Sequence, residues 1–137
     1  MTNRFQLTII VPEKVYLDKS VDSLSVVTSQ GALTILAHHV DFIANIEISM
    51  LTIRDQGKAI NYAVSGGIIN IFQKENKVLL LVNAIESTSE IDEARAKAAQ
   101  KRAEERLAEE GLTLREQQKA EIKLKRALNR LKVVAHK

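Results

Sequence analysis

The sequence predicts an α+β fold, with an N-terminal antiparallel β-sandwich over residues 1–86 and a C-terminal antiparallel two-helix hairpin over residues 87–137. Three observations carry this expectation. Before Ser87, short runs alternate apolar with polar side chains, and turn signals recur at roughly 8–12-residue spacing. From Ser87 the pattern becomes helical and alanine-rich, with no Pro and no Gly until Gly111. Charge changes at the same place: 13 Lys or Arg stand against 9 Asp or Glu from Ser87 onward, and 7 against 8 before it.

The strands are read in order. Phe5, Leu7 and Ile9 alternate with Gln6, Thr8 and Ile10 until Pro12 interrupts. "SLSVVT" at 23–28 follows, then the turn "SQGA" and the strand "LTIL". "ISMLTIR" at 48–54 and "AINYAV" at 59–64 flank "DQGK", a hairpin signal. "SGG" at 65–67 reads as a break between strands, because glycine weakens a strand interior. "IINIF" and "VLLLV" then flank the tight turn "QKENK". Two packed sheets would give each strand a buried face.

The helices follow from their caps. "STSE" at 87–90 offers a capping box, Ser87 with Glu90, and Thr113 with Glu116 offers a second. Ala94, Ala96, Ala98, Ala99, Ala103 and Ala108 favour a helix and let a neighbour approach closely. Gly111 is the expected stop. In the second arm Ala120, Leu124, Ala127, Leu131 and Val134 form one apolar stripe. Each arm is expected to be about 21 residues, roughly 32 Å long. Alanine methyls bury little area, so the arms are expected to hold together weakly and to open.

Composition excludes several function classes. A chain of 137 residues, 45% hydrophobic and 27% charged, suits one or two small globular domains and not a large multidomain enzyme. Cysteine is absent, which rules out disulfides and thiolate metal sites. "MTNRFQLTII" has no signal-peptide pattern, and "VLLLV" falls far short of the ~20 apolar residues that span a bilayer. His38 and His39 are adjacent and His136 is terminal, so no metal set is expected where zinc needs three or four converging ligands. No phosphate-binding glycine loop and no catalytic pairing is legible. Aromatics, 4% of the chain, supply no stacking platform for single-stranded nucleic acid.

Arginines are the remaining candidates. On an uninterrupted helix Ile91, Arg95, Ala98 and Arg102 share one narrow face, with Asp92 at its side. Arg126 and Arg130 stand one turn apart in the second arm. Closing the arms would bring four guanidiniums together, a cluster that a polyphosphate neutralises well. The same spacing also suits ordinary surface pairs with Glu93, Glu105 and Glu121, worth ~0–1 kcal/mol each. Spacing leaves both readings open. Residues 115–137 carry 8 basic and 2 acidic side chains, a tail that suits long-range attraction of acidic partners and equally an ordinary well-solvated helix face.

Several segments, in this order, resemble the epsilon subunit of bacterial F-type ATP synthases. They are "VVTSQGALTIL" and "YAVSGGIINI" in the first half, and "IDEARA" and "KRALNRL" in the second. "IDEARA" fits the family's nucleotide pattern of Ile or Leu, Asp, two variable positions, Arg, Ala. The chain departs at Ala37–His38–His39, where the family usually has Pro, then Gly or Asn, then His. Val40 and Asp41 follow, where a second Pro is common.

The resemblance implies a non-catalytic central-stalk subunit that couples proton translocation to ATP synthesis. Its sandwich would dock on the gamma subunit and the c-ring, at the cytoplasmic face of the bacterial plasma membrane. Its hairpin would switch between a compact form and an extended form that reaches the alpha and beta subunits and inhibits hydrolysis. It also implies no cofactor, but ATP as a regulatory ligand at Glu86, Ile91, Asp92, Arg95, Ala96, Arg102, Arg126 and Arg130. Two alternatives stand beside it: a structural rotor subunit without nucleotide response, and a nucleic-acid adaptor gripping phosphates through the basic hairpin. Acidic residues interleaved in the first arm count against the adaptor.

Overall fold

The computed structural model describes residues 3–136. Met1, Thr2 and Lys137, the outer ends of the two expected segments, lie outside the described residues. Eight strands come first: β1 (Phe5–Val11), β2 (Lys14–Val21), β3 (Ser23–Thr28), β4 (Gly31–Ile35), β5 (Phe42–Asp55), β6 (Lys58–Phe72), β7 (Lys77–Val82) and β8 (Ile85–Ser87). A 3-10 turn, Thr88–Glu90, leads to the helices α1 (Glu93–Leu107) and α2 (Leu114–Ala135).

The strand order is β2-β1-β7-β6-β5-β3-β4, with β8 beside β6. β5 and β6, of 14 and 15 residues, pair along their length and belong to both layers of the sandwich. Halfway along, the ladder is interrupted. Ile46 pairs with Gly67 and Ile48 with Ser65, skipping Glu47 and Gly66. The β3–β5 register also jumps, between Ser25 and Thr28. The skipped pair leaves the β5–β6 register in step, while the β3–β5 jump places three extra residues on β5, an irregularity of the kind that bends a strand and raises its twist. Beyond the bend, β6 pairs with β7 through Gly67–Phe72; before it, β6 pairs with β8 through Tyr62–Val64. The two layers bury one core, in which Leu7, Ile9, Leu24, Ile35, Leu51 and Leu80 are fully enclosed.

Several expectations are corrected. "SGG" does not separate two strands, because β6 runs through it as one. At Gly67 φ is +154°, and a Cβ would lie 2.2 Å from the Leu81 carbonyl oxygen. The glycine is there for a close backbone approach inside a strand, a role its sequence shares with a break. β2, the Phe42–Glu47 half of β5 and β8 were not expected from the pattern. The sandwich is antiparallel except for β1 and β7, which run parallel.

The "AHH" departure forms a held turn. His38 takes φ +63°. Its N–H donates to Asn76 Oδ1 at 2.7 Å, and its carbonyl accepts from Gln73 Nε2 at 3.1 Å. Asp41 Oδ1 accepts from the Gln73 N–H at 2.8 Å.

The first helix also begins later than expected. The Ser87–Glu90 box does form, with the Ser87 N–H donating to Glu90 Oε1 at 2.9 Å, but it caps only the 3-10 turn. The chain is extended at Ile91 and Asp92, and Asp92 caps α1 by accepting from the Arg95 N–H at 3.0 Å. Thus α1 has 15 residues and α2 has 22, in place of two equal arms. Gly111, at φ +78°, makes the turn between them. Thr113 and Glu116 cap α2 reciprocally, at 3.1 and 3.2 Å. The hairpin is folded back, with α1 on α2 and α2 against β5 and β6. Among the described residues no helix is long and apolar enough to cross a membrane.

Gly67→Ala forces a methyl against the β7 backbone and is expected to destabilise the protein by about 3 kcal/mol or more. Urea unfolding followed by circular dichroism measures it, with Gly57→Ala, where a Cβ meets nothing within 4 Å, as the milder comparison.

Candidate functional site between the helices

Small residues set the site's shape. The buried residues of α1 are Ala96 and Ala103, seven apart. On α2, Ala120 and Ala127 are buried at the same spacing. Alanine lets two helix backbones come close, so the longer flanking side chains must splay out along the seam. They enclose an open cleft of about 610 Å³. Ala99, Ala103 and Ala120 contribute its apolar lining. Arg102 and Arg106 of α1 and Lys119, Lys123, Arg126 and Arg130 of α2 contribute six cations, against one carboxylate, Glu116.

The cations differ in their partners. Arg106 pairs with Glu109, and with Glu116 at 2.5 Å, which closes the turn end of the cleft. Arg130 Nε donates to Glu86 Oε1 at 2.6 Å, tying α2 to β8 at the other end. Among the described residues Arg102, Lys119, Lys123 and Arg126 have no ion-pair partner. Arg126 Nε is buried and has no acceptor. A buried donor left unmade costs about 1–3 kcal/mol, which an anion in the cleft would recover.

The expected site residues fall into two groups. Arg102, Arg126 and Arg130 line the cleft, and Glu86 reaches it through Arg130. Ile91, Asp92, Arg95 and Ala96 do not line it. Ile91 precedes the helix, so it is off the face it was expected to share with Arg95, while Asp92 serves as the cap. Arg95 is exposed two turns before Arg102, and Ala96 is buried in the helix seam. Sequence reasoning missed Arg106, Lys119 and Lys123. They share helix faces with the arginines, a signal that helical phase carries.

A second missed group holds the hairpin down. The expected stripe Leu124, Leu131 and Val134 is only half-buried, whereas Asn129 and Val133 are buried on the face toward the sheet. Asn129 Nδ2 donates to the Ser49 carbonyl at 2.8 Å and to that of Val64 at 3.4 Å. Asn61 Nδ2 donates to the His136 carbonyl at 2.9 Å. In the linker, Thr88 Oγ1 donates to the Asn61 carbonyl at 3.1 Å, and the Tyr16 phenol donates to the Glu90 carboxylate. That bond, with the Ser87 N–H, holds Glu90 below the usual carboxylate range. Burial, then the contact with Glu90, pushes the Tyr16 phenol up. Among the described residues no cluster of three His, Cys, Asp or Glu could hold a metal.

Comparison with known proteins places this architecture. Residues 4–88 match the family described as ATP synthase, Delta/Epsilon chain, beta-sandwich domain. Residues 89–135 match ATP synthase, Delta/Epsilon chain, long alpha-helix domain. The chain is 34% identical to the ATP synthase epsilon chain of Desulforamulus reducens, over 96% of this chain and 98% of that one. It is 35% identical to that of Clostridium novyi, over 98% and 100%. A chain in the Euglena gracilis mitochondrial ATP synthase, described as OSCP/F1/c-ring, shares the fold at TM-score 0.78 and 20% identity, covering 91% of this chain and 78% of that one. One in the Tetrahymena thermophila central stalk/c-ring does so at 0.63 and 17%, covering 95% and 96%.

Two outcomes follow from the anchoring contacts. Tyr16→Phe should raise the Glu90 pKa toward the ordinary carboxylate value, as read by carbon-detected NMR titration. Because Glu90's folded pKa is depressed, its stabilising contribution is present above the unfolded pKa and lost as pH falls through the folded one; the variant should lose most of that dependence. Asn129→Ala leaves two backbone carbonyls without this donor and should loosen α2 from the sheet by about 1–3 kcal/mol. Hydrogen exchange should then quicken in α2 while β1 and β7 keep their protection.

Proposed function

The chain belongs to the ATP synthase delta/epsilon chain family, and from that premise we propose that its hairpin is a regulatory arm held in the compact form by ATP. The chain is an epsilon subunit, a non-catalytic part of the synthase. In this reading residues 1–86 dock on the gamma subunit and the c-ring, and residues 87–137 form the regulatory unit. The membrane is met only through the complex, at the cytoplasmic face of the plasma membrane. The extended hairpin reaches the alpha and beta subunits, where the basic second arm meets acidic segments and slows hydrolysis.

One observation carries the ATP reading: Arg102 of α1 and Arg126 of α2, both without an ion-pair partner among the described residues, line one cleft that both helices build. Guanidinium forks suit phosphate oxygens, and the orphaned Arg126 Nε–H supplies a donor already desolvated. Arg95 lies on the Arg102 face and extends it toward the sandwich, with Asp92 and Glu86 at that end for ribose or base. Ile91 and Ala96 complete the motif as packing residues.

Ligand control then follows from geometry. A ligand shifts an equilibrium only by its difference in affinity between the two forms. A cleft with walls on two helices exists only while they lie together, so ATP favours the compact form and its withdrawal releases the arm.

Arg126→Ala should weaken ATP binding about tenfold or more, as for loss of a charge-assisted contact. Its thermal unfolding should stay close to wild type. Calorimetric titration of the isolated chain measures the affinity; wild-type affinity in the variant would remove Arg126 from the site. In the assembled enzyme, the same variant should inhibit hydrolysis at ATP concentrations where wild type does not.

A further inference from the structure

The segment that joins sandwich to hairpin divides sharply at Glu90. Up to that residue it belongs to the sandwich. β8 pairs with β6 from Ile85–Val64 to Ser87–Tyr62, and Ile85 is buried in the core. Thr88 Oγ1 donates to the Asn61 carbonyl at 3.1 Å. The Ser87 N–H and the Tyr16 phenol both donate to Glu90, and the Tyr16 ring meets that of Tyr62 edge-on, with centroids 6.3 Å apart. From Glu93 onward the chain belongs to the hairpin, where α1 packs on α2 and it is α2 that packs on β5 and β6. Ile91 and Asp92 stand between, extended and in neither helix. Asn61 marks the same division. Its carbonyl holds Thr88 of the 3-10 turn, while its Nδ2 donates to the His136 carbonyl at the far end of α2, at 2.9 Å.

We propose that the hairpin pivots at Ile91–Asp92 while the 3-10 turn stays on the sandwich as a fixed base, with Tyr16 and Thr88 as its positioning residues. This rests on the reading that the hairpin leaves the sandwich as a regulatory arm, and it holds whether or not ATP is the ligand. Hinges are a few element-terminal residues that absorb the change in φ and ψ. A pivot further upstream would break the β8 ladder and draw Ile85 from the core. A pivot at Ile91–Asp92 leaves both intact. It costs the contacts of α2 with the sandwich, chiefly those of Asn129 and Arg130, and the Asn61–His136 bond. The base also favours closure through the length of tether it leaves. While it holds, only Ile91 and Asp92 link fixed chain to α1; without it, all of Ser87–Asp92 would be free. A short tether keeps a released arm at high effective concentration beside its site, and that concentration falls roughly as the three-halves power of tether length. Freeing about three times as much chain therefore makes reclosing roughly fivefold less favourable.

The test follows backbone hydrogen exchange of the full chain by NMR, with the Ser87 N–H as reporter of the base and β1 and β7 as internal reference. Two variants open the hairpin by different routes. Asn129→Ala removes the donor to Ser49 and Val64, and Arg130→Gln removes the ion pair with Glu86. In both, α1 and α2 should exchange together and roughly tenfold faster, while Ser87 stays within about twofold of its wild-type rate. Glu90 should stay below the usual carboxylate range in both, since Tyr16 and Ser87 still donate to it. Tyr16→Phe with Thr88→Val should free Ser87 and speed α2 about fivefold, with β1 and β7 unchanged. Ser87 exchanging in step with α2 in the opening variants would move the pivot upstream and overturn the fixed base. If α1 keeps its protection while α2 loses it, the pivot lies at the Gly111 turn and the hinge is overturned. An unchanged α2 rate in the Tyr16→Phe, Thr88→Val protein would strip those two residues of their positioning role. If α2 keeps the protection of β1 and β7 in every variant, the hairpin does not leave the sandwich, and the regulatory-arm reading falls together with the pivot.

Discussion

Where α1 meets α2 the contact is made by alanine methyls: Ala96 and Ala103 on one side, Ala120 and Ala127 on the other. That choice of side chain constrains the rest of the site. Small residues let the two backbones approach, and close backbones bring the rows of cations on either flank within reach of one ligand. Leucines in the same places would hold the arms together more firmly but would fill the seam and push those rows apart. Each methyl contributes only about 0.8 kcal/mol of burial, so the hairpin is shaped more than it is stabilised by its interface. Repulsion between the rows works against even that modest gain.

What keeps the hairpin down comes from the sheet side. Asn129 reaches the carbonyls of Ser49 and Val64 beside the bend of β5 and β6. Arg130 takes Glu86 of β8, and Tyr16 of β2 takes Glu90 in the linker. These contacts are polar, buried at Asn129 and more open to water at Arg130 and Tyr16. Net hydrogen bonds of that kind contribute on the order of 1 kcal/mol each, unlike a continuous apolar interface. Arg130 belongs to both systems, since Nε serves Glu86 while the residue lines the cleft. An anion near its outer nitrogens therefore acts on a side chain already oriented by the sandwich. Site and anchor are joined through one guanidinium.

Much of this was legible in the sequence. The strand runs, the Thr113–Glu116 box, the Gly111 turn and the alanine face all follow from local rules that packing here respects. What escaped reading has a physical pattern. "SGG" looks the same whether the backbone stops or passes close to a neighbour, and only the Leu81 carbonyl distinguishes the two. β2 is mostly exposed with polar side chains, so its strand identity comes from pairing with β1 and not from alternation. Ser87 and Glu90 made a true cap, but of a 3-10 turn that Ile91 ends, because Asp92 offers a second cap two residues on. Asn129 is polar and buried, and no apolar stripe announces a second inner face on α2. Arg102, Arg126 and Arg130 were found because helical phase is periodic, and Lys119 and Lys123 obey the same phase.

In the proposed reading, the two opposing demands on the cations explain why the hairpin would respond to a ligand. If the arms were joined by a large apolar interface, closure would be complete without ATP and ligand binding would move no population. If the sheet-side anchors were absent, repulsion would keep the arms apart and a ligand would have to supply the whole of closure, which lowers its apparent affinity by the fraction closed. The proposed response to ATP requires the closed form to sit near balance, a state favoured by alanine at the seam, polar anchors on the sheet and unpaired cations in the cleft. Near balance, neutralising the cleft changes the population most for a given binding energy. Salt acts on the same repulsion by screening it over about 8–10 Å, so added salt favours closure without a ligand while weakening the ligand's own attraction.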